Sequence, residues 1–381
     1  MATPVPYVLI VGILELCAFT YASPSATLNI RRNSSAIAVL FFFFFFAFRG
    51  FIFSDWITYY DFFQKCDWSD LFGYKLGSVV QMEPGFVMLN LICKFIIKDY
   101  FFLQFVICLI DTVLLLRFFR GRIDNLPLAL LLYFVFGGLT MSINLLRNSI
   151  AAMLFLNAID FLRDRRPIPY FAICLLALSF HSSSVLFFPL YFFLNRRFNK
   201  WIFLAVFVVC NIVFLFHIPV VVSLLGMLGI DEQFSDKVKA YTEVMDKSSV
   251  LSIGYLERLF TFALAFYFYD KILAMKKENA IFMNSLLIYF IFTFFFSQFQ
   301  VMSERLGTLF IFSYWIMWAY YIKCFERVNN KNLFIYFIAF YSLVKTWSMT
   351  RLPSMEYDNL LFGIKSYQER LFIFFSTFDD L

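Results

Sequence analysis

A small set of ionisable side chains sits in apolar sequence instead of in charge clusters: Arg49, Arg147, His181, Glu257, Arg258, Glu304, Arg305, Lys345 and Arg351. Charge inside a membrane costs roughly 2.5–3.5 kcal/mol per residue on insertion scales, so such residues usually serve a purpose. Guanidinium groups bind phosphate oxygens with a bidentate geometry that Lys cannot match. Several Arg side chains converging from different helices would form a pocket for a pyrophosphate group. Arg258 follows Glu257 and Arg305 follows Glu304, so helix-fixing ion pairs are the other reading for those two. Arg147 and Arg49 have no adjacent acid.

His181 follows the apolar run Ala172 to Phe180 and precedes three serines. One helix ends there and another begins, with a serine placed to cap it. Histidine titrates near neutrality and can take a proton from a sugar hydroxyl; a hydrogen-bonded residue at a helix end is the alternative. His217 reads as structural. Asp55, Tyr59, Tyr60 and Asp61 offer acceptors and flat apolar faces, which sugars need, although interfacial aromatics are also common belt residues. Glu83 precedes Pro84 and Gly85 at the start of a short helix, where the helix dipole favours an acid. Glu15 and Asp111 lie within apolar stretches and are expected to pair inside the bundle.

These residues must be positioned by membrane helices. The chain is 62% hydrophobic, 15% charged, and contains 58 Phe. A soluble domain is about half apolar and a quarter charged, so the solvent for this surface is lipid. About 20 apolar residues cross a bilayer core. Twelve candidate spans follow: 4–22, 35–53, 100–118, 126–142, 146–162, 168–181, 183–195, 201–217, 251–269, 280–298, 306–322 and 332–347. The first lacks a basic leader and reads as a span that stays in place. The stretch 84–97 is brief and carries Lys94, which predicts a re-entrant or interfacial helix. The run Phe41 to Phe46 fits a lipid-facing helix.

Basic clusters at Arg31–Arg32, Arg117–Arg122, Arg163–Arg166, Arg196–Lys200, Lys271–Lys277 and Lys323–Lys331 mark cytoplasmic ends, since such loops concentrate Lys and Arg. The net charge of +6 therefore sets orientation and does not signal nucleic-acid binding. Both termini then lie outside, with outer loops at about 54–99 and 218–250 on a single transmembrane domain spanning 1–381. Seven cysteines show no metal spacing; most read as apolar fillers, with Cys66 alone in a polar loop. No Walker loop, G-x-G-x-x-G, H-E-x-x-H or G-x-S-x-G is present, so nothing indicates ATP hydrolysis, a nicotinamide cofactor, zinc or a serine hydrolase.

The ordered strings Arg49-Gly50, Asp55-Trp56-x-x-Tyr59-Tyr60-x-x-Phe63, Glu83-Pro84-Gly85-Phe86, Asn144-x-x-Arg147-Asn148-x-Ile150-Ala151 and Phe180-His181-x-Ser183 resemble the EpsG family of Wzy-like polysaccharide polymerases. The similarity covers roughly residues 35–195. Asn148 stands where the family usually has Gln, and Phe53-Ser54-Asp55 where it commonly has G-x-D. The resemblance implies an all-α, polytopic, GT-C-like membrane glycosyltransferase of the bacterial inner membrane. It would join undecaprenyl-pyrophosphate-linked oligosaccharides at the outer, periplasmic face, needing no cofactor, nucleotide sugar or metal. A flippase and a chain-length regulator would be its partners, with the bilayer itself.

On this reading Arg147 and Arg305, with Arg49 and Arg258, hold the pyrophosphate, and Arg351 also binds substrate. His181, or else Asp55 or Glu83, orients or deprotonates the attacking hydroxyl, and Tyr59 and Tyr60 stack on sugars. An exporter or flippase of lipid-linked oligosaccharide, a glycan ligase, and a membrane acyltransferase using His181 are the rival readings.

Overall fold

The structure, a computed structural model, describes residues 3–72, 81–218, 220, 252–297 and 300–379. The expected outer loop at 218–250 lies outside the described residues except at 218 and 220, as does 73–80 within the first loop. In chain order the helices are α1 (Val5–Ala22), α2 (Leu28–Ala47), α3 (Trp56–Lys65), α4 (Pro84–Ile96), α5 (Tyr100–Phe119), α6 (Leu126–Ile143), α7 (Leu146–Arg163), α8 (Pro167–Phe180) and α9 (Phe187–Phe193). There follow α10 (Lys200–Leu215), α11 (Ile253–Tyr267), α12 (Tyr269–Met275), α13 (Asn279–Phe295), α14 (Gln300–Thr308), α15 (Phe312–Cys324), α16 (Val328–Met349) and α17 (Tyr367–Asp379). Among the described residues every regular element is helical. Helices α1, α2, α5 and α6 are long and apolar enough to cross a membrane; α4, α8, α10, α13 and Ser182–Phe193 are shorter apolar helices.

Two compact units divide the chain: Met1–Tyr191 with Arg327–Leu381, and Phe192–Glu326. In the first, α1 packs on α2, α6 and α16, α2 packs on α5 and α6, and α7 lies between α5 and α8. Helix α7 is buried on almost every side. It therefore carries small and amide side chains that bond internally, such as Asn157, whose Nδ2 donates to the Leu114 and Met153 carbonyls at 3.0 and 2.8 Å. In the second unit α13 packs on α10 and α15, and α11 on α15. The Phe207 and Phe262 rings there stack at 3.5 Å.

Local chemistry starts and stops these helices. Thr27, Asp99, Asn125, Asn199 and Ser252 each accept a first-turn N–H. Prolines at the start of α4, α6 and α8 sit where no N–H partner is needed. Asn125 also donates to the Ala18 carbonyl at 2.9 Å, tying α6 to the end of α1.

Several sequence expectations shift. Instead of 35–53, α2 starts at Leu28 and stops at Ala47, because Thr27 caps its start and the following backbone bonds elsewhere. The Gly50 N–H donates to the Asp358 carbonyl and the Leu360 N–H to the Phe48 carbonyl. The Phe run is not purely lipid-facing: Phe42, Phe45 and Phe46 are buried, at the i, i+3, i+4 spacing of an inward stripe, while Phe41 is exposed. Helix α6 carries a wide turn at Phe134–Gly138, with Gly137 at φ 83°. The stretch 306–322 breaks between α14 and α15. Cys66 is buried like the other six free cysteines, because it ends α3 against the core. Glu15, expected to pair inside the bundle, meets no hydrogen-bond partner through its buried Oε1.

The stretch 84–97 is a helix as expected. At 1.5 Å per residue its 13 residues reach about 20 Å, short of a bilayer core of about 30 Å. Lys94 does not reach for solvent. Its Nζ donates to the Gln64 and Cys66 carbonyls at 2.9 and 3.0 Å and so caps the end of α3.

Candidate functional site

The two ends of α7 have opposite characters. At its C-terminal end Asp160 pairs with Arg163 at 3.1 Å and with Arg122 from the end of α5. Two basic clusters, Arg117–Arg122 and Arg163–Arg166, thus meet at one end of the helix. Arg147 lies at the other end, 16 residues away and therefore about 24 Å along the axis.

Arg147 is the centre of the candidate site. Its Nη1 donates to Glu83 Oε2 at 2.5 Å, with side-chain exposures of 20% and 4%. A pair this enclosed is weakly screened by water. The other Glu83 oxygen accepts the Ser182 backbone N–H at 2.9 Å. One carboxylate therefore joins the start of α7, the start of α4 and the turn after α8. The guanidinium carbon lies 5.9 Å from the centre of the Tyr59 ring, within cation–π range. Tyr59 belongs to α3, outside the spanning helices, and burial pushes its phenol above its ordinary value, with Arg147 opposing.

Gly85 makes this convergence possible. A Cβ at that position would lie 2.4 Å from Ser179 Oγ and 2.8 Å from the Ser179 carbonyl oxygen. Only glycine lets the first turn of α4 sit against the last turn of α8, placing Glu83 beside Ser182.

His181 caps the end of α8 in extended conformation. Its Nδ1 accepts the Ser183 N–H at 3.2 Å and lies 2.7 Å from Ser183 Oγ. Neutral His181 accepting at Nδ1 carries its proton on Nε2 and is a donor there. Ser183 Oγ lies 3.5 Å from Asn148 Oδ1, which links the His181 turn to α7.

Asp55 is fixed by a residue that sequence reading quoted only as part of a motif. Asn144 Oδ1 accepts the Asp55 N–H at 2.8 Å and lies 3.2 Å from Ser54 Oγ. The amide hydrogen bonds hold the turn that starts α3, and with it Tyr59 one turn later. Asn144→Leu leaves these groups without their acceptor, at a cost of about 1–3 kcal/mol. Its heat-unfolding midpoint in detergent should fall and its polymer should shorten; a variant equal to wild type in both would remove Asn144 from the site.

The remaining expected residues occupy other places. Arg49 is 2% exposed, and its guanidinium donates to the Phe46 and Ser142 carbonyls at 2.5 and 2.8 Å. It lines a small internal cavity with Asp111 and Tyr133. Gly50 beside it is required because a Cβ would fall 1.9 Å from Asp358 Oδ1. Tyr60 stacks on Tyr367 with ring centres 4.7 Å apart. Arg351 is exposed and lies over Trp347. In the second unit, Arg258 Nε donates to Tyr289 Oη at 3.1 Å, and Arg305 is exposed on α14. His217 ends α10 at φ 49°.

Sequence reading missed the C-terminal segment. Arg370, 3% exposed, pairs with Asp358 at 2.9 Å and donates to the Glu356 carbonyl, while Lys365 pairs with Glu356. The Phe53 N–H donates to the Ser354 carbonyl at 2.8 Å. This segment thus braces the turn leading to Asp55 from one side while Asn144 holds it from the other. No motif signals it, because its partners are some 300 residues away in sequence.

Comparison with curated proteins and with solved structures found no match. The model of the EpsG family matches residues 34–368, well beyond the stretch whose motifs are legible by eye. A match of that extent places the chain in the EpsG family, whose proteins are Wzy-like polymerases, and makes it a polysaccharide polymerase-type membrane protein.

Proposed function

We propose that this protein joins undecaprenyl-pyrophosphate-linked oligosaccharide units into polysaccharide at the outer face of the bacterial inner membrane. The observation that carries the reading is the enclosed Arg147–Glu83 pair anchored on the His181 turn. An acceptor hydroxyl attacks the anomeric carbon of the sugar on the carrier. The bond from that carbon to the pyrophosphate oxygen breaks, and its electron pair leaves with the lipid pyrophosphate. Arg147 stabilises the charge that develops there. Asp55 takes the hydroxyl proton, and His181 orients the acceptor through Nε2–H. Glu83 holds Arg147 in place until the anion arrives.

Arg147 is the cation on which this reading rests. The carbonyl contacts of Arg49 support a structural role. Arg258, Arg305 and Arg351 remain proposed contributors to substrate binding, and Tyr59 is proposed to steady Arg147 through its ring face. The twelve-pass, GT-C-like arrangement, with α4 re-entrant or interfacial, belongs to the same proposal, as do a flippase and a chain-length regulator as partners.

The test is purified protein in nanodiscs, supplied with lipid-linked repeat units and analysed by gel. A ladder of polymer is expected, weakened in His181→Ala. No ladder, with lipid-linked units instead crossing vesicle membranes that contain the protein, would establish the exporter reading.

A further inference from the structure

A groove of about 660 Å³ opens beside α3 in the first unit, a size typical of ligand sites. Thr58, Asp61 and Lys65 line it from one face of α3, at helical spacing. The opposite face of α3 buries Trp56, Tyr59 and Phe63 in the core, so the helix has one side fixed and one side free for a ligand. Phe62, Tyr367 and Met82 line it too, the first two with aromatic rings. Met82 directly precedes Glu83, so one lining residue adjoins the carboxylate partner of Arg147 in the chain.

We infer that this groove binds the oligosaccharide portion of the lipid-linked unit, a hydroxyl-rich chain of neutral or amino sugars. This rests on the polymerase reading above. Carboxylates and the Thr58 hydroxyl give acceptors and donors for sugar hydroxyls, and flat rings take the apolar faces of pyranoses. Tyr367 is held in place by stacking on Tyr60 and by edge contact with Trp56, so its wall is rigid. Among the described groove-lining side chains three carboxylates, Asp61, Asp67 and Asp70, outnumber one cation, Lys65, which pairs with Asp61 at 2.7 Å; Lys94, bonded to the Cys66 carbonyl, also acts on Asp67. Asp67 stays anionic, because the Ser69 hydroxyl and N–H hold its carboxyl below the usual range. That balance selects against uronic acids.

The experiment uses full-length protein in nanodiscs. Its probe is the free oligosaccharide released by mild acid from the native lipid-linked repeat unit, with binding followed by saturation-transfer NMR. Wild type should bind saturably and Tyr367→Phe equally. Tyr367→Ala should bind about tenfold more weakly, and Asp61→Ala several-fold more weakly. Asp61 is a surface residue with 56% of its side chain exposed, so its variant tests the groove without endangering the fold. Wild-type affinity in both Ala variants, no saturable binding to wild type, or a uronate-rich native repeat would each overturn the inference. A wild-type ladder accompanied by any of those results sinks the groove alone; absence of the ladder sinks the polymerase reading itself.

Discussion

Arg147→Ala should abolish long polymer, with a drop of about 10²–10³-fold in polymerisation rate, the scale on which removing one preorganised donor acts. Arg147→Lys should rescue little of it. A single ammonium cannot bond Glu83 and a pyrophosphate oxygen with the two arms that a guanidinium offers. The Ala variant also strands Glu83, whose side chain is 4% exposed. Removing one partner of such a pair costs about 3–5 kcal/mol, so lost activity could reflect lost protein. The double variant Arg147→Met with Glu83→Gln separates the two effects. Gln keeps a carbonyl oxygen for the Ser182 N–H, and no charge is left unpaired. It should therefore accumulate normally and still make no ladder. Long polymer from Arg147→Ala at normal protein level would remove Arg147 from the mechanism.

Gly85→Val should be the most damaging single change that touches no charged group. Its Cβ would meet Ser179 Oγ at 2.4 Å and the Ser179 carbonyl oxygen at 2.8 Å. The hydroxyl can rotate away, but the carbonyl belongs to the last turn of α8 and cannot. Helix α4 must then back off, and Glu83, two residues earlier, withdraws from Ser182 and Arg147. Overpacking of this kind costs about 1–3 kcal/mol, and a shift of about 1 Å in a catalytic group can cost about a hundredfold in rate. Ser179→Ala in the same chain removes only the hydroxyl clash, so rescue should be partial. A Gly85→Val protein with a wild-type ladder and wild-type heat stability would show that the α4–α8 contact does not place the site.

Some of this was open to view in the residues themselves. An apolar fraction of 62% requires a lipid solvent whatever the fold. The start of α6 at Leu126, capped by Asn125, coincides with the expected span 126–142, whereas α2 starts at Leu28 behind Thr27 and not at 35. The strings around Asp55, Glu83, Arg147 and His181 carried the family, because each is a local pattern. Helix ends were less legible. Helix α2 stops at Ala47 because Gly50 and Phe48 bond to Asp358 and Leu360, residues no local pattern can reveal.

What the sequence determined alone is the solvent, the helical class and the identity of the family, since composition and short-range spacing suffice for each. What only the tertiary structure decided is which charges meet. Arg49 and Arg147 look alike in sequence, as lone cations in apolar stretches. One donates to two backbone carbonyls inside the core, and the other pairs with Glu83 at the meeting of three helix ends. That difference arises from contacts 64 and 93 residues apart in the chain, where packing of whole helices, not neighbouring residues, sets the partner.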